Sequence, residues 1–367
     1  MSRPAAPLRA IGSLQRGPGA RWSRKRKFRL ARTGVILLTL ILVFTWLTKS
    51  CGDDSEVATD DSTTTTAAPT TTAPPNLTLA AAQAPKGLPS AHSDAPAVTN
   101  GLPGQAGSPI LILGGVDKSK SSKTAVWAYD PATGSTTSAG VLKKATHSSA
   151  AALVGDAVLL FGGSVGPRPL PDVQRYDPAT QKTTIIGQMP TKRSEFGAVV
   201  DPEGPMVYLV GGFDGADPTN DILATLDGTT FQKVATLAEP VRHPAVVLSG
   251  STIWVFGGEW DDVSSASIQK IDILTGQTEV FGKMQTPISH AMGFTIEDEI
   301  FLAGGRVAGG RSNEVRRFDP ETGAFTVVTT LPSNLSDSSV ATSGRTAYLF
   351  GGLAPTATNK IVTIAAT

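Results

Sequence analysis

Cysteine is almost missing: the 367 residues hold one, Cys51. A disulfide framework is thereby excluded, and so is any metal site built on thiolates. Histidine is scarce too, with four residues, His92, His147, His243 and His290. Acidic residues are absent from the first fifty positions, which carry eleven of the 32 Lys and Arg. The rest of the chain therefore holds 21 basic residues against 31 acidic ones. An acidic body argues against nucleic acid as a partner, because phosphate contacts need a basic surface.

Charge is also missing from residues 33–48, TGVILLTLILVFTWLT, which Arg32 and Lys49 bracket. As a helix this run spans roughly 24 Å at about 1.5 Å per residue, and the two flanking cations can snorkel to extend it. The basic flank precedes the apolar run, so the positive-inside rule leaves residues 1–32 as a cytoplasmic tail and everything after Lys49 outside. The reading is a single-pass signal anchor in the cell membrane. Two others stand beside it: cleavage after the apolar run, for which Thr48-Lys49-Ser50 is a poor site, and acylation at Cys51. Residues 49–75 contain five acids and then TTTTAAPTTTAPP. They have almost nothing to bury and read as a disordered, extended linker.

From residue 76 onward the sequence repeats. An apolar strand ending in Gly-Gly occurs six times: LILGG, LLFGG, YLVGG, WVFGG, FLAGG and YLFGG. Their first glycines fall 48, 49, 46, 47 and 47 residues apart. A second landmark follows each of the first five pairs, as in WAYDPATG, RYDPATQ and RFDPETG. It is turn chemistry: Asp bonds its own backbone, Pro sets φ, and Gly takes positive φ. Short β-rich runs lie on either side, so each unit is predicted to be four short antiparallel strands. Six such units on a closed circuit make an all-β, six-bladed propeller over residues 76–367.

The order of strand, Gly-Gly, loop, Tyr-Asp and strand resembles the kelch repeat. One departure is that Thr, Phe or Val stands where the family has a Trp on the outer strand. The resemblance implies a propeller that serves either as a binding module or as an enzyme, since kelch-like propellers include copper radical oxidases and isomerases acting on sialic acid. The oxidase requires a Cys cross-linked to Tyr, and this propeller has no Cys. A sugar isomerase or lyase remains the alternative to binding.

The sixth unit ends with NKIVTIAAT and supplies only three strands. The missing strand is expected from the other end. LPSAHSDAPAVTNG at 88–101 matches LPSNLSDSSVATSG at 331–344, which places 76–88 where an outer strand belongs. Residues 77–83 are therefore predicted to pair with 359–364 and close the ring.

The loops after the Gly-Gly pairs vary in sequence and open on the same face as the lead-ins to the inner strands. That face is the candidate site. His243 and His290 share a column near the start of the inner strand. His147 lies one position earlier, Asp94 and Asp337 fill the column in their own units, and Phe196 fills it in another. Such a ring admits a polar ligand or a metal, with ordinary packing as the alternative; no cofactor is assigned. Trp260, Asp261 and Asp262 join an aromatic plate to hydrogen-bond acceptors, which suits a sugar. Arg306 can clamp a carboxylate. The expected partner is a protein or glycan ligand, and the sequence is silent on oligomeric state.

Overall fold

Each Gly-Gly pair ends a strand with both residues at positive φ, from Gly114 and Gly115 (68° and 92°) to Gly351 and Gly352 (63° and 95°). Glycine takes this conformation without the steric cost that a Cβ brings. The Asp turns behave as their residues dictate. Asp130 accepts the Ala132 N–H at 2.8 Å and the Thr133 hydroxyl at 2.8 Å, and Gly134 turns at φ 64°. In the corresponding turn of the third unit, backbone and hydroxyl donors hold the Asp227 carboxyl down to about 2.

The computed structural model describes residues 77–101 and 106–367. The expected tail (1–32), membrane helix (33–48), linker (49–75), Cys51 and Asn76 lie outside the described residues. Among the described residues no helix is long and apolar enough to cross a membrane.

The strands assemble into six four-stranded antiparallel sheets. In blade 1 the order from the inside is Ala97–Thr99, Ile110–Leu113, Lys123–Asp130 and Ser135–Thr146. Blades 2 to 5 repeat this meander. The inner strand of each blade packs on that of the next, and the sixth packs on the first, so the circuit closes. The Gly-Gly strand is the second of each blade. It is buried on both faces, as the all-apolar runs Ile110–Leu113 and Val207–Val210 require.

Blade 6 is completed as expected, by chain from the other end. Leu79–Gln83 forms its outer edge and pairs antiparallel with Ile361–Ala366, from Leu79 opposite Ala366 to Gln83 opposite Val362. The pairing lies slightly further along the C-terminal strand than the expected 359–364. Asn359 is instead used as a clasp: its carbonyl accepts the Leu88 N–H at 2.7 Å and its Nδ2 donates to the Leu88 carbonyl at 3.1 Å.

The core is divided like the ring. The buried apolar side chains form six clusters, one in each interface between blades. Trp254 packs between blades 4 and 5 with Phe256, Phe281 and Phe318, each ring pair edge-on or offset. The propeller is thus a rigid frame whose loops on one face surround the axis.

Candidate functional site

Between the outer strand of one blade and the inner strand of the next, the chain crosses the axis end of the ring. Its turning point is one residue per blade: Asp94, Ser148, Glu195, His243, His290 and Asp337. All six are non-glycine residues at left-handed φ, between 48° and 61°. Each N–H donates to the carbonyl of the equivalent residue in the preceding blade. Ser148 donates to Asp94 at 2.7 Å, Glu195 to Ser148 at 2.8 Å and His243 to Glu195 at 2.8 Å. His290 donates to His243 at 3.1 Å, Asp337 to His290 at 3.2 Å and Asp94 to Asp337 at 3.0 Å, which closes the circle. A six-membered backbone ring thus fixes six side chains around one opening.

A second tier is tied to the first. The residue after each Gly-Gly bridges the residue before the ring position, as Glu259 does with Arg242 and Arg306 with Ser289. Backbone bonds in both directions (2.7 and 3.1 Å for Glu259 and Arg242) hold it at ring depth. Together the tiers line a cavity of about 960 Å³ that draws on every blade. Beyond the ring lies a smaller space of about 150 Å³, lined by the next residue of each blade, including Phe196 and Pro244.

The side chains form a charged network. The His243 and His290 rings stack with centroids 3.7 Å apart and planes 23° from parallel. His243 Nε2 is 3.2 Å from Glu195 Oε2. His290 lies between two acids, Nδ1 3.3 Å from Glu259 Oε1 and Nε2 3.5 Å from Asp337 Oδ1. Arg306 reaches Asp337 with Nη2 at 2.8 Å and Nε at 3.3 Å, a two-pronged clamp. Arg242 lies 3.5 Å from both Glu195 and Glu259 and pairs with Asp262. Burial pushes the Glu259 carboxyl up, but the hydrogen bond and charge of His290, with Ser289 and His243, outweigh it and hold it down to about 2. Glu195 is held low against its burial by His243 and Arg242.

Asp94 goes the other way. Burial, then the charge of Asp337, pushes its carboxyl up from 3.8 to about 6, despite the bond from the Ser93 hydroxyl at 2.6 Å. Between pH 4 and 6 the folded chain therefore holds a proton that the unfolded chain has lost, and this group costs stability as pH rises through that window. His92 opposes it: burial brings its imidazole down to about 4, so its share of stability is complete above pH 6.5 and lost on acidification toward 4. Comparing Asp94→Asn with the parent at each pH cancels the His92 contribution. Asn tolerates left-handed φ and keeps an acceptor for Ser93. The variant is expected to be more stable by about 2–3 kcal/mol at pH 7.5, with the gain gone at pH 4. Urea melts at both pH values measure this, and a gain that persists at pH 4 would contradict it.

The structure brings together Asp94, His147, His243, His290, Arg306 and Asp337 around the cavity. His147 stands at its wall, Nδ1 2.9 Å from the Ser122 hydroxyl, with burial holding its imidazole low. Trp260 and Asp261 do not join them. Trp260 is 52% exposed on the hairpin Glu259–Trp260/Val263–Ser264, and neither residue lines this cavity. Asp262, grouped with those two in the sequence, does line the cavity. Phe196 is one residue past the ring position, which Glu195 occupies. Sequence reasoning also missed Ser148, Arg242 and Glu259. The signal that was present was position: the residue after each Gly-Gly, and the polar residue two before the inner strand.

Comparison with known proteins agrees with the repeat pattern. The kelch motif matches residues 145–190 and 294–332, which lie over blade 2 and blade 5. The chain carries kelch motifs on a six-bladed propeller. It is similar to the kelch repeat protein M-T8 of Myxoma virus (strain Lausanne), 25% identical over 252 residues, which are 66% of this chain and 47% of that protein. It is also similar to the kelch-like protein 25 of Mus musculus, 22% identical over 239 residues, and to that of Homo sapiens, 21% identical over 243. These two alignments cover 62% of this chain and 40% of each relative. The chain thus spans less than half the length of the curated relatives it matches.

Proposed function

We propose that this kelch propeller is a binding module, displayed outside the membrane on residues 33–75, that receives a protein partner at the loop-face cavity. The observation that carries the reading is the ring of six left-handed, non-glycine residues. Each such residue costs of order 1 kcal/mol, and strain of this kind collects where a site needs it. Here it serves to hold acids and imidazoles together around one opening. The rim supports a protein rather than a sugar. Val165, Trp260 and Val263 are exposed at the tips of post-Gly-Gly hairpins, while the cavity wall is charged and, among the described residues, is lined by no Trp, Tyr or Phe. Exposed aromatic side chains of this kind are enriched in protein-binding patches.

Two measurements test this. Photo-reactive residues placed at Val263 and Lys118 on the loop face, in the full-length chain in its own cells, are expected to capture a defined protein. The same probes at Val280 and Val327, on exposed outer strands, should not. Equal capture at both places would refute the site, and retention on a glycan array that Trp260→Ala abolishes would favour a sugar. Protease added to intact cells is expected to remove the propeller; full protection would refute display outside.

A further inference from the structure

The cavity floor contains two imidazoles and a carboxylate arranged for something smaller than a protein. His243 and His290 come from equivalent positions of adjacent blades, and Glu259 from the second tier between them. One nitrogen of each imidazole and one Glu259 oxygen lie within 4.8 Å of one another. All three residues are at most partly exposed, and the His290 side chain is 3% exposed.

The acids on both sides of His290 favour a cation at this ring. A neutral imidazole has one N–H and one lone pair. With carboxylate oxygens 3.3 Å from Nδ1 and 3.5 Å from Nε2, either tautomer aims its lone pair at an acid. Ser289 can serve Nδ1 or Glu259, but not both at once. Its hydroxyl lies 3.0 Å from Nδ1 and 2.9 Å from Glu259 Oε1, and it has a single proton to give. A proton or a metal ion at Nδ1 resolves the conflict. His243 is held in the same way, with its Nε2 facing Glu195 at 3.2 Å. Donation from Nε2 of both rings to a neighbouring carboxylate makes Nδ1 the lone-pair nitrogen of each ring, the atom a metal can take. This is the outer-shell pattern that orients metal-binding imidazoles. The surrounding charge agrees. Glu195, Glu259, Asp337 and Asp94 crowd the floor, against Arg242 and Arg306.

The geometry points to a divalent transition-metal site of the zinc class, with His243, His290 and Glu259 as ligands and Glu195 and Asp337 orienting the two imidazoles. This goes beyond the binding reading and does not depend on it. Two imidazoles with one carboxylate and no thiolate suit zinc, cobalt or nickel better than calcium or magnesium. Metal–ligand bonds of about 2 Å require the three donors to close by roughly an ångström and the stacked rings to splay, which side-chain rotation supplies. Three protein ligands leave a coordination position open toward the cavity.

Calorimetric titration of the full-length chain with zinc chloride at pH 7.5 is expected to show one binding event per chain, with calcium chloride giving none. His243→Ala and Glu259→Gln should each weaken it by more than about 100-fold, and Asp337→Asn by about tenfold. Because a variant can lose binding by misfolding, cobalt(II) added to the parent chain gives an independent reading. A visible absorption spectrum of four- or five-coordinate cobalt, with X-ray absorption showing two imidazole ligands, is expected. The site is overturned by the absence of a stoichiometric zinc event, by parent-like affinity in His243→Ala and Glu259→Gln, by six-coordinate cobalt without imidazole, or by loss of the event in His147→Ala alone.

Discussion

Removal of residues 77–86 is expected to cost the propeller its cooperative fold. This segment holds the outer strand of blade 6, and its contacts all reach distant chain. Leu79–Gln83 pairs along its whole length with Val362–Ala366. The Thr367 N–H donates to the Thr78 carbonyl at 2.9 Å, the Ala84 N–H to Ile361 at 2.8 Å, and the Leu77 N–H to Glu299 of blade 5 at 3.0 Å. Leu79 is 5% exposed and fills the cluster between blades 5 and 6 with Val315, Leu331, Val362 and Ile364. Without the strand, Ile361–Ala366 becomes a bare edge able to pair with another chain, and the apolar cluster opens to water. Burial of one leucine is worth about 2 kcal/mol, and the ladder and ring closure add to it, against a total stability of about 5–15 kcal/mol. The full-length chain with this internal deletion should aggregate or lose its sigmoidal thermal transition. Leu79→Asp, which keeps the backbone, should lower stability by about 3 kcal/mol or more. A melting temperature close to the parent's in the deletion variant would show that the ring does not need this closure.

The repeat was legible because its glycines are fixed by backbone conformation, and the two at each strand end sit at positive φ in every blade. Ring closure was legible from the match between 88–101 and 331–344, which lead into blades 1 and 6. Its register was not, because Asn359 is taken up by a clasp to Leu88, a residue far away in the sequence. The site was half legible. His243, His290 and Asp337 stand in one column because blades 4, 5 and 6 have inner hairpins of equal length, and Asp94 joins them through the match of 88–101 with 331–344, although its own hairpin is longer. Blade 3 has a longer one than blades 4 to 6, with Asp201-Pro202-Glu203-Gly204-Pro205 between its strands, so a count back from its glycines falls short of Glu195. Glu259 was hidden by its neighbour. On a two-residue strand successive side chains point to opposite faces, so Glu259 enters the cavity while the more conspicuous Trp260 points away. Arg242 gave no signal at all, since only the closed ring brings Glu195, Glu259 and Asp262 within its reach.

Gly257→Ala is expected to destabilise the propeller by about 4 kcal/mol or more. Gly257 ends the second strand of blade 4 at φ +58°, and a Cβ placed there meets the Ile288 carbonyl oxygen at 2.0 Å. That oxygen cannot retreat freely, since it accepts the Gly258 N–H at 2.8 Å. Left-handed φ alone costs a non-glycine residue about 1–2 kcal/mol, and forcing a methyl into a packed interior adds about 1–3 kcal/mol. Gly250→Ala separates the two costs. Gly250 has nearly the same φ, +55°, but a methyl there would have nothing within 4 Å of it, so about 1 kcal/mol is expected. Denaturant melts of both variants should therefore differ by about 3 kcal/mol; near-equal values would mean that the crossing chain yields. The consequence extends to the site, because Ile288 immediately precedes Ser289 and His290. Any yielding at Ile288 displaces an imidazole of the cavity floor. A Gly257→Ala chain that survives by shifting this segment should lose whatever ligand the floor holds, while Gly250→Ala keeps it. The glycine pair is thus part of the frame that positions the ring, and its close approach to the crossing segment couples the stability of one blade to the geometry of the next.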